Sequence, residues 1–275
     1  MIRAVVVILR IISQFFIKIK FFFIANLFSS IRASLLLKKF VKVKFDGQDW
    51  IYKWNNSAAV SSVCYYNPVN NYSDSDLFFY KYKPNQNDII VDIGVENGSE
   101  IPEFCKAVGT SGKVIAVEAD PSCCRRIKKL KKILNLNNLT IIEHAVGDIN
   151  KKVKFLQEKE ELQNRVIDKE TNTSNYIEIT QTTLNDILKK LNLKKINFIK
   201  VNIEGAEINL LKPLNENSFD IQNWCIGCHD FKGVNFRTYD FVKNWLIKNK
   251  YNVYNYEPQK NKTFWRNYYL YGSKN

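Results

Sequence analysis

Between Asp88 and Asp120 the chain reads DIIVDIGVENGSEIPEFCKAVGTSGKVIAVEAD, and this stretch narrows the possible folds more than any other. Ile89, Ile90 and Val91 form an apolar strand that runs into Asp92, followed by a glycine-bearing turn from Gly94 to Gly98 and a helical segment. A second apolar strand, Val114 to Val117, ends on Glu118. Strand, turn, helix and strand in this order make one unit of an α/β sheet. A carboxylate that closes the second strand is placed to accept the hydroxyls of a ribose. Gly94 and Gly98 let the backbone turn tightly and approach a ligand closely. Their spacing is G-x-x-x-G behind an aspartate, not G-x-G-x-x-G opening a helix, and no Walker lysine follows. A pyrophosphate cradle is therefore disfavoured, and a nucleoside cofactor without phosphates, S-adenosylmethionine, is expected.

The chain of 275 residues suffices for one large domain with an appendage or for two small ones, and its 45% hydrophobic content is that of a globular protein. The formal charge of +14 is concentrated at the N-terminus. Arg3, Arg10, Lys18, Lys20, Arg32, Lys38, Lys39, Lys42 and Lys44 all precede the first acidic residue, Asp46. Apolar clusters lie between these charges, and no uninterrupted run reaches the roughly 20 residues of a membrane-spanning helix. At helical spacing Arg3, Arg10, Gln14 and Lys18 share one face, while Ile2, Val5, Val6, Leu9, Ile12, Phe16 and Ile19 tend to the other. Residues 1–40 are thus expected to make peripheral contact with a membrane as an in-plane amphipathic helix, the alternative being a helix packed on the domain or on a second subunit. A signal peptide is disfavoured because Arg10 and Lys18 break the apolar core. Six cysteines without a disulfide framework predict reduced thiols and a cytoplasmic protein, peripheral on the inner face of the membrane if the arm binds lipid.

The organisation expected is a basic arm at 1–45, a hairpin and cap segment at 46–85, and a catalytic domain at 86–275. Alternation in VKVKFDGQDWIYKW, from Val41 to Trp54, predicts a hairpin turning near Asp46 and Gly47, and the polar, tyrosine-rich residues 55–85 read as loop and short helix. Strands are expected at 88–92, 113–118, 139–143, 196–202 and 222–228, and helices at 99–108, 121–136, 182–192, 205–213 and 237–249. Two aromatic segments, Tyr251–Tyr256 and Phe264–Tyr271, flank a polar turn with Pro258, Gln259 and Lys260 and predict a closing hairpin.

Several groups fall at the carboxyl ends of these strands, where open α/β sheets bind ligands. Asp92 ends the first, and Glu118 ends the second ahead of Asp120, an N-cap with Pro121 at the first helical position. Glu143-His144-Ala145-Val146-Gly147-Asp148 follows the third and can border an adenine. The fourth runs into Lys200, Asn202, Glu204, Gly205 and Glu207. Lys200 and Glu204 are candidates for an ion pair lining the site, although Glu204 and Glu207 would also favour the start of a helix through its dipole. Cys225-Ile226-Gly227-Cys228-His229 spells a haem-attachment pattern, but it closes an apolar strand in a chain with cytosolic cysteine usage, and no second thiol pair completes a zinc site. His229 reads better as a proton acceptor facing the cleft, and no metal is expected.

DIGVENG, VIAVEADP, HAVGD, the TLNDIL segment at Thr183–Leu188 and KINFIKVNIEGAEINLLK together resemble the FkbM family of S-adenosylmethionine-dependent methyltransferases from about Asp88 to His229. The family pattern runs roughly D-[IV]-G-A-N-x-G, F-E-P, T-L-D-D-L and K-I-D-[VI]-E-G-A-E. The resemblance implies an α/β, Rossmann-like class I methyltransferase with a seven-stranded, mostly parallel sheet and a C-terminal antiparallel hairpin. It also implies methyl transfer to a hydroxyl of a glycan, glycolipid or secondary metabolite. On this basis Asp92, Gly94, Glu96, Gly98, Glu118, Ala119, Ala145, Val146 and Asn202 are expected to hold S-adenosylmethionine, with His229, Lys200 and Glu204 catalytic. Three residues depart from the pattern: Glu96 replaces Asn, Ala119 replaces Pro, and Asn202 replaces an Asp that could balance a sulfonium charge. These departures support an alternative, a cofactor-binding scaffold subunit without catalysis. A nucleic-acid partner is not expected, since the catalytic half has no Asn/Asp-Pro-Pro-Tyr/Phe motif and no basic stripe interleaved with aromatics.

Overall fold

The computed structural model describes residues 2–69, 75–156, 165–167, 176–214, 218–234, 237–257 and 264–274. The chain divides into two compact units. The first comprises residues 1–75, 97–102 and 125–137, and the second 76–96, 103–124 and 138–275.

In the first unit the basic arm forms two helices, α1 (Ile2–Lys18) and α2 (Phe22–Leu37), followed by a sheet of order β1-β2-β3 with β1 at Lys42–Phe45, β2 at Trp50–Trp54 and β3 at Ser57–Ser61. The sheet is antiparallel throughout, so the expected hairpin is present and gains a third strand from a segment read as loop. Residues 55–85 also hold a one-turn helix, α3 (Ser75–Phe78). Val41, Val43, Trp50, Tyr52 and Trp54 form the core together with Ala25 and Ala33 of α2. The side chains of Asn26, Ser30 and Ser34 accept hydrogen bonds from the backbone N–H groups of Phe45, Val43 and Val41, each at 2.9 Å. Four residues of helix rise about 6 Å and two residues of strand about 6.6 Å, so this polar ladder keeps step with the open edge of β1. Helix α1 is joined to α2 through Ser29 and Ser13, whose hydroxyls are 3.2 Å apart. The face division expected for α1 holds in part: Leu9 is buried and Phe16 packs on the core, whereas Ile2, Val5 and Ile19 of the same expected face are exposed, as are Ile8, Ile11 and Phe15.

In the second unit a seven-stranded sheet runs β13-β14-β12-β11-β4-β5-β6. Its members are β4 (Ile89–Ile93), β5 (Lys113–Val117), β6 (Leu139–Ile142), β11 (Lys195–Val201), β12 (Asp220–Gly227), β13 (Asn252–Asn255) and β14 (Tyr269–Ser273). Strands β6, β5, β4, β11 and β12 pair in parallel, and β14 inserts antiparallel between β12 and β13. Helices α4 (Ile101–Val108), α5 (Pro121–Leu134), α6 (Leu184–Lys190), α7 (Glu207–Leu211) and α8 (Tyr239–Lys248) lie at the expected places in the chain, with ends a few residues shorter. Their starts follow local chemistry: Asp120 accepts from Ser122 N–H at 2.7 Å to cap α5, and Thr183 accepts from Asp186 N–H at 3.2 Å to cap α6. Val91, Ile93, Ile115, Ile199, Trp224 and Ile226 belong to the central core. The polar turn assigned to Pro258, Gln259 and Lys260 lies outside the described residues. A second sheet was not foreseen. It has the order β7-β10-β8-β9, from Ala145–Val146, Tyr176–Thr182, Lys151–Leu156 and Arg165–Ile167.

Candidate active site

The strand order reverses between β4 and β11, and an open α/β sheet has its crevice at such a switch point. There a cavity opens, with about 740 Å³ of empty space counting its open mouth. It is lined by Gly94 and Glu96 after β4, Val117 to Asp120 at the end of β5, His144 to Val146 after β6, Phe155 from β8, and Asn202, Ile203, Glu204 and Ala206 after β11.

The first turn is fixed from behind. Strand pairing sets Lys200 opposite Asp92. The Lys200 ammonium lies 2.9 Å from the Asp92 carboxylate and donates to the Gly94 carbonyl at 2.8 Å, with both side chains buried. Gly94 has φ +78°, and a Cβ there would stand 1.9 Å from the Asn202 carbonyl oxygen. Gly94→Ala is therefore expected to separate β4 from β11 at their ends, lowering stability by about 2 kcal/mol or more in denaturant unfolding. Asp92 and Lys200 stand behind the cavity's lining residues, where their buried ion pair, satisfied by a backbone carbonyl, orients the loop. Gly98, at φ +72°, belongs to the first unit, where a Cβ would meet Ile127 at 3.3 Å. It too is not among the lining residues.

Glu118 organises the second turn. Its Oε1 accepts from Ala119 N–H and Asp120 N–H, each at 2.8 Å, and Oε2 accepts from Glu96 N–H at 2.7 Å. Burial pushes its carboxyl above the ordinary range, against the pull of these N–H groups. Three of about four lone-pair sites are then engaged, leaving room on Oε2 for one ribose hydroxyl. Glu96 sits at φ +55°, a conformation that Asn tolerates better than Glu.

The lining combines two environments. Cys123, Ala145, Val146 and Phe155 give an apolar slot suited to a flat base, with His144 beside it. His144 Nδ1 is buried without a hydrogen-bond partner, a polar atom free for a ligand. Burial, then Lys190 and Lys152, hold this imidazole below its ordinary pKa, so it is neutral at pH 7. The charged lining residues are Glu96, Glu118, Asp120 and Glu204, with no lysine or arginine among the described ones. Such a wall repels phosphates and suits a nucleoside that carries a positive centre.

Beyond Asn202 a second cluster closes the site. Asn202 Oδ1 accepts from the Tyr269 hydroxyl at 3.2 Å. His229 is buried, with Nε2 3.3 Å from Glu204 Oε1 and Nδ1 3.1 Å from Glu207 Oε1. Glu204 also pairs with Lys232. Burial opposes a charge on His229, but the hydrogen bonds to Glu204 and Glu207 prevail and push its pKa up to about 9. Burial likewise disfavours ionised Glu204, yet His229 and Lys232 hold its carboxyl below the ordinary value. The expectation that His229 faces the cleft as a base meets a different geometry: neither ring nitrogen is free, and of its two carboxylate partners Glu204 is the one on the cavity wall.

Gly94, Glu96, Glu118, Ala119, Ala145, Val146, Asn202 and Glu204 are thus brought onto one cavity. Phe155, Cys123, Ile203 and Ala206 join them without having been singled out. Only the alternation of Val153 and Phe155 on β8 could have pointed to one of these.

A parallel sheet closed by an antiparallel strand, with an acidic, phosphate-repelling pocket at its switch point, is the architecture of the class I S-adenosylmethionine-dependent methyltransferases, and the pocket suits S-adenosylmethionine as cofactor. The Methyltransferase FkbM domain profile matches residues 92–256, more than half of the chain. The chain belongs to the FkbM methyltransferase family. Among solved structures it is similar to the methyltransferase FkbM from Methylobacillus flagellatus KT, at 14% identity and TM-score 0.50 over 73% of this chain and 47% of that one. It is also similar to M. jannaschii TYW2 in complex with AdoMet, at 14% identity and TM-score 0.45 over 84% of this chain and 88% of that one. Aeropyrum pernix fibrillarin with natively bound S-adenosyl-L-methionine matches at 10% identity and TM-score 0.44, over 84% of this chain and 97% of that one. At its identity the Methylobacillus flagellatus structure speaks to the fold alone. No curated protein sequence matches the chain.

Proposed function

We propose that the protein is an O-methyltransferase acting on a hydroxyl of a glycan, glycolipid or secondary metabolite. The observation that carries this reading is Glu204, a carboxylate on the cavity wall two residues beyond Asn202 and clamped by His229 and Lys232. Bound S-adenosylmethionine supplies an electrophilic methyl group on a positively charged sulfur. Glu118 holds the ribose, Ala145, Val146 and Phe155 flank the base, and the carboxylates around the cavity favour the cationic centre. Glu204 takes up the proton that an acceptor hydroxyl releases as its oxygen is alkylated. A weak base suffices, because the hydroxyl becomes strongly acidic as the new bond forms. His229 acts as a positioning residue, presenting a positive charge that fixes Glu204 while Glu207 holds the ring from the other side. Six cysteines, all free and buried, support a reducing, cytoplasmic setting.

The isosteric change Glu204→Gln tests the assignment. It is expected to lower kcat by at least about 100-fold while leaving S-adenosylhomocysteine affinity within about twofold. An unchanged kcat would remove Glu204 from the chemistry. Cofactor binding without turnover on any hydroxyl acceptor by the unaltered protein would instead favour the non-catalytic scaffold, for which Asn202 in place of Asp is the support.

A further inference from the structure

Helix α2 is built inside out. Its polar residues Asn26, Ser30 and Ser34 face inward onto the β1 backbone, and small residues, Ala25, Ser29 and Ala33, fill its buried side. The side turned away carries Phe23, Leu27 and Ile31, exposed by 83%, 53% and 42%, with Leu35 continuing the same four-residue stripe. On α1 the residues Ile8, Ile11 and Phe15 are exposed by 55%, 59% and 57%. A helix in contact with water places its apolar stripe inward and its serines outward. The opposite arrangement, with small and hydroxyl residues at the helix seam and large apolar ones outside, is what lipid-facing helices show.

Charge selects the occupant. Arg3, Lys18, Lys20, Lys38 and Lys39 are all exposed on the two helices or at their ends, and no acidic residue precedes Asp46. Arg10 is held on the protein side, its guanidinium 4.1 Å from the centre of the Tyr65 ring. A second copy of the same face would bring like charges together, whereas anionic headgroups are complementary to it. Helices of 17 and 16 residues are about 25 Å long against a hydrocarbon core of about 30 Å, and among the described residues no helix is long and apolar enough to cross a membrane.

We propose that the outward face of the α1–α2 hairpin docks in the plane of an anionic lipid bilayer, with Phe15, Phe23, Leu27 and Ile31 below the headgroups and the flanking lysines among them. This surface belongs to the first unit alone and does not depend on the methyl-transfer reading. The test is co-sedimentation of the full chain with vesicles of phosphatidylcholine containing about a quarter phosphatidylglycerol, beside vesicles of phosphatidylcholine alone. Binding to the anionic vesicles is expected, weakened by high salt. A further loss of at least about tenfold is expected in the double variant Phe23→Ser with Leu27→Ser, and another in Lys18→Glu with Lys20→Glu. All four positions are exposed, so both variants should fold, and S-adenosylhomocysteine affinity in the same samples should stay unchanged. Full-length protein that remains in the supernatant overturns the proposal. So does binding untouched by the serine substitutions, or a dimer in analytical ultracentrifugation that those substitutions dissolve.

Discussion

Glu118→Ala should abolish cofactor binding, raising the S-adenosylhomocysteine Kd by at least about 100-fold in calorimetry. The carboxylate accepts N–H bonds from Glu96, Ala119 and Asp120, so its removal leaves three donors of two turns without their partner as well as deleting the proposed ribose contact. Stability should fall by roughly 2–4 kcal/mol: a buried donor left unpaired costs about 1–3 kcal/mol, and of the three only the Asp120 N–H bond is fully buried, so water can reach the other two. The isosteric Glu118→Gln separates the two effects. An amide still accepts through its oxygen, so the fold should recover more than the affinity does. If both variants bind the ligand as tightly as the unaltered protein, the pocket assignment is wrong.

The chain has two histidines, and they should titrate far apart. With its pKa raised to about 9 from an ordinary 6.5, His229 contributes stability that is fully present below about pH 6.5 and is lost as pH rises through about 9. A shift of that size corresponds to roughly 3 kcal/mol over the interval. His144, held below 6.5 chiefly by burial, should already be neutral there. Proton NMR of the two imidazoles should therefore show one midpoint near pH 9 and one on the acid side of 6.5. Stability measured from pH 6 to 10 should decline more steeply in the unaltered protein than in His229→Gln, the difference isolating the imidazolium. Two midpoints close to 6.5 would dissolve the Glu204–His229–Glu207 clamp.

Legibility in the sequence followed how local the determining chemistry is. The run from Ile89 to Val117 declared its strands because parallel core strands are continuous apolar runs with turns at their ends, and Asp120-Pro121 and Thr183 declared helix starts through side chains that cap their own neighbours. The second sheet stayed hidden because β7 is only two residues long and β8, reading KKVKFL, carries lysine at three of its six positions. At the site, Glu118 and Gly94 were readable from spacing alone. The partnership of Asp92 with Lys200 was not, because it depends on the register of two strands more than 100 residues apart in sequence. The state of His229 was equally hidden: its two carboxylates come from the turn after β11 and the first residue of α7, and only the fold brings both to the end of β12.

The insertion of β14 between β12 and β13 also bears on how the sheet is assembled. Strand β13 is synthesised before β14 yet has no other partner in the sheet, and β12 has only β11 until residues 269–273 emerge. Until then the β12 edge, with Trp224, Cys225 and Ile226 at its centre, remains open to pairing with a foreign strand. The final strand therefore acts as a late closure for the nascent chain. Changes within Tyr269–Ser273 should lower the yield of folded protein on the ribosome more than they lower the equilibrium stability of molecules that have already folded.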